Sequence, residues 1–141
     1  MRAARRYRLP RERILRGRDT FRALFEQSLG HRSGDVLFKY RTIERPGPGD
    51  VLAAFIVSKK HGNAVRRNRI RRLLREAWRL ARPTFIERMP EGVEVHLALI
   101  WIGAPVDQSA PEFARVRRDL ERGLKRIAIP LLGDYASQSS S

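Results

Sequence analysis

The sequence predicts a small α+β fold, helices packed over one sheet in the order helix, strand, strand, helix, strand, helix. Three observations predict it. Apolar residues recur at helical spacing in 70–81 and 113–127. Period-two alternation with β-branched and aromatic content marks 36–43 and 93–102, and 51–58 is more continuously apolar. Turn chemistry separates these segments, and 141 residues suffice for one domain with a real core.

Residues 1–18 carry eight Arg and one Glu and read as a basic arm that orders on its partner. The single domain spans 19–132. Phe21, Leu24, Phe25 and Leu29 share helical spacing after a cap at Asp19 or Thr20. VLFKYRTI (36–43) alternates as a strand, RPGPGD (45–50) turns, and VLAAFIVS (51–58) returns, the simplest pairing being a hairpin. After the central helix, VEVHLALIWIG opens a third strand. Ser109 or Ala110 then begins a last helix with Phe113, Val116, Leu120, Leu124 and Ile127 inside and Arg115, Arg117, Arg118, Arg122 and Arg126 outside, closed by Pro130. The Ser-rich end, 133–141, reads as a disordered tail.

The central helix carries the charge. From Ser58 to Arg82 ten side chains are Lys or Arg and only Glu76 is acidic. Cations one turn apart repel unless something outside the protein neutralises them, and a phosphate backbone is the obvious candidate. Ile70, Leu73, Leu74, Ala77, Trp78 and Ala81 form one buried stripe. At about 100° per residue, Asn68, Arg72, Arg75 and Arg79 project opposite it, flanked by Arg69 and Arg71. Pro83 is expected to end the helix. Gly62 and Asn63 precede it, with Asn63 as N-cap, so Lys59, Lys60, Arg66 and Arg67 surround a helix N-terminus that already favours anions. The whole chain has a formal charge of +15, and 26 of its 30 basic residues are Arg, which suits bidentate phosphate contact or reflects GC-rich coding.

Other chemistries find little support. Without cysteine there are no disulfides, thiolate zinc sites or thiol nucleophiles. No apolar run approaches the ~20 residues of a membrane span, and the basic N-terminus lacks a signal-peptide apolar region, so a cytoplasmic location and no membrane partner are expected. Glu87, Glu91 and Glu94, the closest acidic grouping, read as a solubilising loop rather than a two-metal site. His31, His61 and His96 lack ligand spacing: His96 reads as a sheet residue, and His61 as either a phosphate contact or a plain loop position. There is no phosphate-binding glycine loop. Neither catalytic nor metal residues are expected on the protein. Phe21 and Phe25 read as core anchors or as rings that stack on an unpaired base. Lys39 and Arg41 share one strand face, which beside the basic helix would suit single-stranded nucleic acid.

The stretch SKKHGNAVRRNRIRRLLREAW (58–78), with Arg67, Asn68 and Arg69 at its centre, closely resembles the signature of bacterial ribonuclease P protein subunits. The likeness extends in register to the basic N-terminus, Leu15 with Phe21 and Phe25, VEVHLALIW and the closing helix. It implies an αβββαβα fold, with a third early strand, a mostly antiparallel four-stranded sheet and a left-handed crossover through the basic helix. It also implies a partner RNA that is itself the catalyst, precursor tRNA as substrate, Mg²⁺ held mainly by RNA and substrate phosphates, and a protein that is monomeric when free. The holoenzyme would remove the 5′ leader as an endonuclease. By the same resemblance Arg67, Asn68, Arg69, Arg71, Arg72 and Arg75 would contact the catalytic RNA or the leader, with Asn63 and Lys59 on the same surface. Phe21, Phe25 and a strand aromatic would line a cleft for single-stranded leader. Where relatives carry that strand Tyr, ungapped alignment places Lys39, with Tyr40 one position later. A bulge that shifts the register, or replacement of stacking by charge, would account for it.

Three other classes remain. A structural RNA-binding protein of a ribosome-like particle would explain the charge without a cleft. A DNA-binding protein using the helix in a major groove would require a dimer, and no dimer seam is visible. A protein nuclease lacks the residues.

Overall fold

The computed structural model describes residues 14–103 and 112–139, with side chains described to Ala128. The elements are α1 (Arg18–Gln27), β1 (Leu29–Ser33), β2 (Val36–Glu44), β3 (Asp50–Ile56), a 3₁₀ turn (Lys59–His61), α2 (Ala64–Glu87), β4 (Val93–Trp101) and α3 (Phe113–Ser139). This is the αβββαβα order. Residues 1–13 of the expected arm, and the expected start of the last helix at Ser109 or Ala110, lie outside the described residues.

The four strands lie in the order β1-β2-β4-β3. β1 pairs antiparallel with β2, and β2 antiparallel with β4, whereas β3 runs parallel to β4. The expected hairpin of 36–43 with 51–58 is therefore not formed. β4 occupies the place between them, and β3 reaches it through a crossover containing α2. The physical reason lies in the loop after β2. Arg45 N–H donates to Gly92 O at 3.0 Å and Gly92 N–H to Gly47 O at 2.8 Å, so the Pro-Gly loop is tied to the entry of β4. It spans two strand spacings, roughly 10 Å. The centre of the sheet suits β4, in which every residue except Ile100 is buried.

The true hairpin joins β1 to β2 around Gly34, whose φ of 56° is left-handed and favours glycine. Leu29, expected on the first helix, instead opens β1 and is 62% exposed. A five-residue LGHRS strand with little alternation gives periodicity nothing to detect.

Alternation in each strand divides the sheet into two faces. Val36, Phe38 and Tyr40, Val51 and Ala53, and the odd positions of β4 from Val93 to Trp101 pack under α2 and α3 with Ile70, Leu74, Trp78, Val116 and Leu120. On the other face Ala54 and Ala98 pack with Leu15 and Leu24, with Phe21, Leu52, Ile56 and Ile100 alongside. The segment before α1 is part of this layer. Ile14 bridges to Ala53, and Leu15 N–H donates to Ala53 O at 2.8 Å, so the last residues of the expected arm form an edge of the fold.

Pro83 does not end α2. It is buried inside the helix, which continues to Glu87 and caps at Arg88. An interior proline costs ~3 kcal/mol. Continuing the helix buries Phe85 edge-on to Trp78, ring centroids 6.1 Å apart, and burying such a side chain returns ~1.5–3 kcal/mol. α3 likewise passes through Pro130, and its helix takes in part of the expected tail, to Ser139.

Candidate nucleic-acid interface

The basic segment begins as the 3₁₀ turn and enters α2 through Asn63, whose Oδ1 accepts Arg66 N–H at 2.9 Å. This is the expected N-cap, and it commits the carboxamide oxygen to the helix. His61 is fully buried, so a plain structural position, not a phosphate contact, is its place. Gly62, at φ 112°, lets the chain turn beneath Arg66, whose Nη1 donates to His61 O at 2.5 Å. Arg66 thus folds back onto the turn, while Lys59 and Lys60 are exposed.

Along α2 the cations divide by partner. Asn68, Arg69, Arg72 and Arg75 are exposed, and Arg67 and Arg71 half-buried. Arg71 donates to Asn68 Oδ1, joining the two side chains one turn apart. Arg79 is held by Glu76, Nη2 to Oε1 at 2.5 Å and Nε to Oε2 at 3.0 Å. The Arg79 hydrogen bond holds the Glu76 carboxyl below its ordinary value and raises that of the guanidinium. Arg82 is tied to Asp50 at 3.3 Å. Among the described residues no carboxylate pairs with Arg69, Arg72 or Arg75, so these three carry the uncompensated charge of the helix.

The expected cleft residues lie on the other side of the sheet, apart from Tyr40. β2 pairs one-to-one with β4 from Val36 to Glu44 without a bulge. Lys39 therefore faces α1, and Tyr40, 5% exposed, lies in the core under α2 and α3. Charge takes the aromatic's place: Lys39 Nζ sits 5.3 Å from the centre of the Phe25 ring, within cation–π range. Phe25 is 43% exposed, Phe21 half-buried. Since α2 covers the opposite face, Lys39 and Arg41 are not beside the basic helix as expected. The sheet stands between them.

Register supplies what the sequence did not reveal. Gly30, Lys39, Ala98 and Ala54 are successive partners across β1, β2, β4 and β3. This row is small except for Lys39, and the rows on either side are Leu37–Ile100–Ile56 and Arg41–His96–Leu52. α1 settles Leu24 onto the two alanines. Toward β1 the row ends in half-buried Lys39 beside Phe25 and in exposed Gly30, and this open end is the trough. Two rows farther along β4 Glu94, expected on a solubilising loop, is buried, accepting from Arg45 at 3.1 Å with His96 Nε2 at 2.9 Å. No local signal marks Gly30 or the row, because they meet only through pairing.

Among the described residues no group of three His, Cys, Asp or Glu could hold a metal ion, and no helix is long and apolar enough to cross a membrane. The sequence model of the family described as Ribonuclease P matches residues 9–128. The chain belongs to the ribonuclease P protein family. A ribonuclease P protein component of Desulfovibrio desulfuricans is 37% identical over 133 residues, 94% of this chain and 95% of the relative. One of Chlorobaculum tepidum is 40% identical over 128 residues, covering 84% and 82%. In fold, the chain is similar to the ribonuclease P protein of Thermotoga maritima, with TM-score 0.59 at 23% identity over 80% of this chain and 96% of that one. It is also similar to that of Staphylococcus aureus, with TM-score 0.55 at 21% identity over 86% and 92%. The ribonuclease P family fold has the α+β architecture expected from the sequence.

Proposed function

We propose that the chain is the protein subunit of a ribonuclease P, which binds the catalytic RNA and the single-stranded 5′ leader of precursor tRNA and assists Mg²⁺-dependent removal of that leader. The observation that carries this reading is the outer face of α2. There the family signature folds with Arg69, Arg72 and Arg75 exposed and unneutralised, beside Asn68. Such a face contacts phosphates without reading bases. The trough offers a second kind of contact. Phe25 presents a ring for stacking and Lys39 a charge for the leader backbone.

The protein residues do not fit a Mg²⁺ site, lacking a carboxylate cluster among the described residues. The proposal assigns hydrolysis to the RNA, with Mg²⁺ on RNA and substrate phosphates. The protein's part is to screen repulsion between the two RNAs and hold the leader. The test is turnover of the reconstituted holoenzyme on precursor tRNA across a Mg²⁺ series. Arg72→Ala/Arg75→Ala should raise the Mg²⁺ concentration needed for half-maximal turnover and weaken assembly. Unchanged Mg²⁺ demand and unchanged assembly would sink the proposal.

A further inference from the structure

The cations of α3 are not absorbed by this reading. In its first turns two of them are neutralised: Arg115 pairs with Asp35 at 2.7 Å and Arg117 with Glu121 at 2.8 Å. Further along they are not. Arg122, Lys125 and Arg126 are exposed, and among the described residues no carboxylate pairs with them. With His31, Arg32 and Ser33 of β1 they line a cavity of about 410 Å³ that contains no acidic side chain.

The surroundings hold this group in place. Ser33 Oγ donates to Asp119 O at 2.6 Å, and Asp35 N–H to Asp119 Oδ2 at 3.4 Å, so the β1–β2 turn is fastened to α3. Next to Arg122, Gly123 lies so near β2 that a Cβ there would stand 2.1 Å from Phe38 Cε2. Helix and edge strand therefore meet at a fixed separation, with Arg32 presented from one and three cations from the other. Leaving four cations unneutralised on two elements held this firmly is electrostatically unfavourable unless an anion arrives.

We infer that this surface is a second RNA-binding site, which takes the phosphate backbone of a segment other than the one bound by α2. The inference rests on the proposed ribonuclease P role for its partner. Three of the four cations are Arg, whose planar fork matches phosphate oxygens, and β1 is an edge strand whose outward N–H groups add uncharged donors. Position decides that the segment is different. α2 packs against β3 and α3 against β1 and β2, and the two helices pack on each other, with the cavity between α3 and β1, the edge strand away from β3. Three strand spacings, roughly 14 Å, separate β1 from β3. On that placement the protein bridges two parts of the RNA.

The experiment is titration of ribonuclease P RNA with the full-length chain over a salt series, comparing wild type with four variants of confirmed circular dichroism. Arg122→Ala/Lys125→Ala/Arg126→Ala should flatten the slope of log affinity against log salt by about 2 to 3, since each phosphate contact contributes about 0.7–0.9. Arg72→Ala/Arg75→Ala should flatten it independently, and the combined variant by the sum, because distant sites add. Arg32→Ala, on the strand, should flatten it by about 1 or less, which separates loss of the surface from damage to the helix. An unchanged slope in the triple variant, with a reduced one in the α2 variant, overturns the second site and spares the proposed function. Unchanged slopes in both overturn the two together. Loss of binding to phosphatidylglycerol vesicles in the triple variant, at an unchanged RNA slope, would assign these cations to a lipid surface and also overturn the inference.

Discussion

The outer face of α2 and the trough under α1 lie on opposite sides of one sheet and are built on opposite principles. α2 presents charge without a cavity: Arg69, Arg72 and Arg75 are exposed along a helix whose other stripe is core. Their field reaches about a Debye length and is indifferent to sequence. The trough presents shape with little charge. Ala98 and Ala54 seat Leu24 of α1, Gly30 is exposed at the β1 end, and there Lys39 and Phe25 stand 5.3 Å apart. Its contacts act only when a base and phosphate are already in place. On the proposed function, one surface would supply affinity that salt weakens, and the other would position a strand mainly by stacking.

The sharpest way to break that division is to displace α1 while leaving α2 alone. Ala98 is fully buried against Leu24, so Ala98→Leu overpacks the contact between α1 and the sheet. It should cost about 1–3 kcal/mol of stability in a denaturant melt. Displacing α1 moves both Phe21 and Phe25, and leader affinity should fall about a hundredfold if two stacked bases are lost. Affinity for the RNA subunit without substrate should hold. Leader binding that survives in the folded variant would remove the trough from the proposed function.

Smaller changes sharpen the contrast. Phe25→Ala should weaken leader binding about tenfold, within the range for one stacked base, without altering its salt slope. Lys39→Tyr exchanges the charge for a ring in the same register. It should reduce the salt slope by about 0.7, one single-strand phosphate, while retaining most of the affinity. If instead Phe25→Ala flattens the salt slope, the ring acts through Lys39 and not by stacking on the leader.

How far each region could be read from the sequence follows from the same difference. α2 is legible because its stripe, its Asn63 cap and its unbalanced charge are all local to one segment. Pro83 was the exception: the local rule for proline is outweighed by burial of Phe85, which only the tertiary contact reveals. The trough depends on pairing. β1 is too short to show a period, and Leu29 falls by chance on the helical spacing of Phe21 and Phe25. Adjacent strands usually pair, so β2 and β3 read as a hairpin until the bonds from Arg45 and Gly47 to Gly92 are seen. Whether Lys39 or Tyr40 faces α1 could be settled only by the unbroken register with β4, because a one-residue slip exchanges the faces.

The smallest effect tests whether α2 works through its unneutralised charge. Glu76 is the one acid between Ser58 and Arg82, and it binds Arg79 through two hydrogen bonds. Glu76→Gln should free the guanidinium and tighten RNA binding by about twofold to fivefold at low salt, a gain that disappears as screening grows. The substitution should also cost the free protein at most about 0.5 kcal/mol, because an exposed pair one turn apart is largely screened. The sign with pH follows from the lowered carboxyl pKa. Its contribution to stability is complete above the unfolded value, about 4.3, and is lost as pH falls through the lower folded value. Wild type and Glu76→Gln should therefore differ slightly in melting at pH 7 and converge at pH 3. Equal RNA affinity at low salt would mean that Arg79 already reaches the RNA despite Glu76, and that its pairing does not limit the helix.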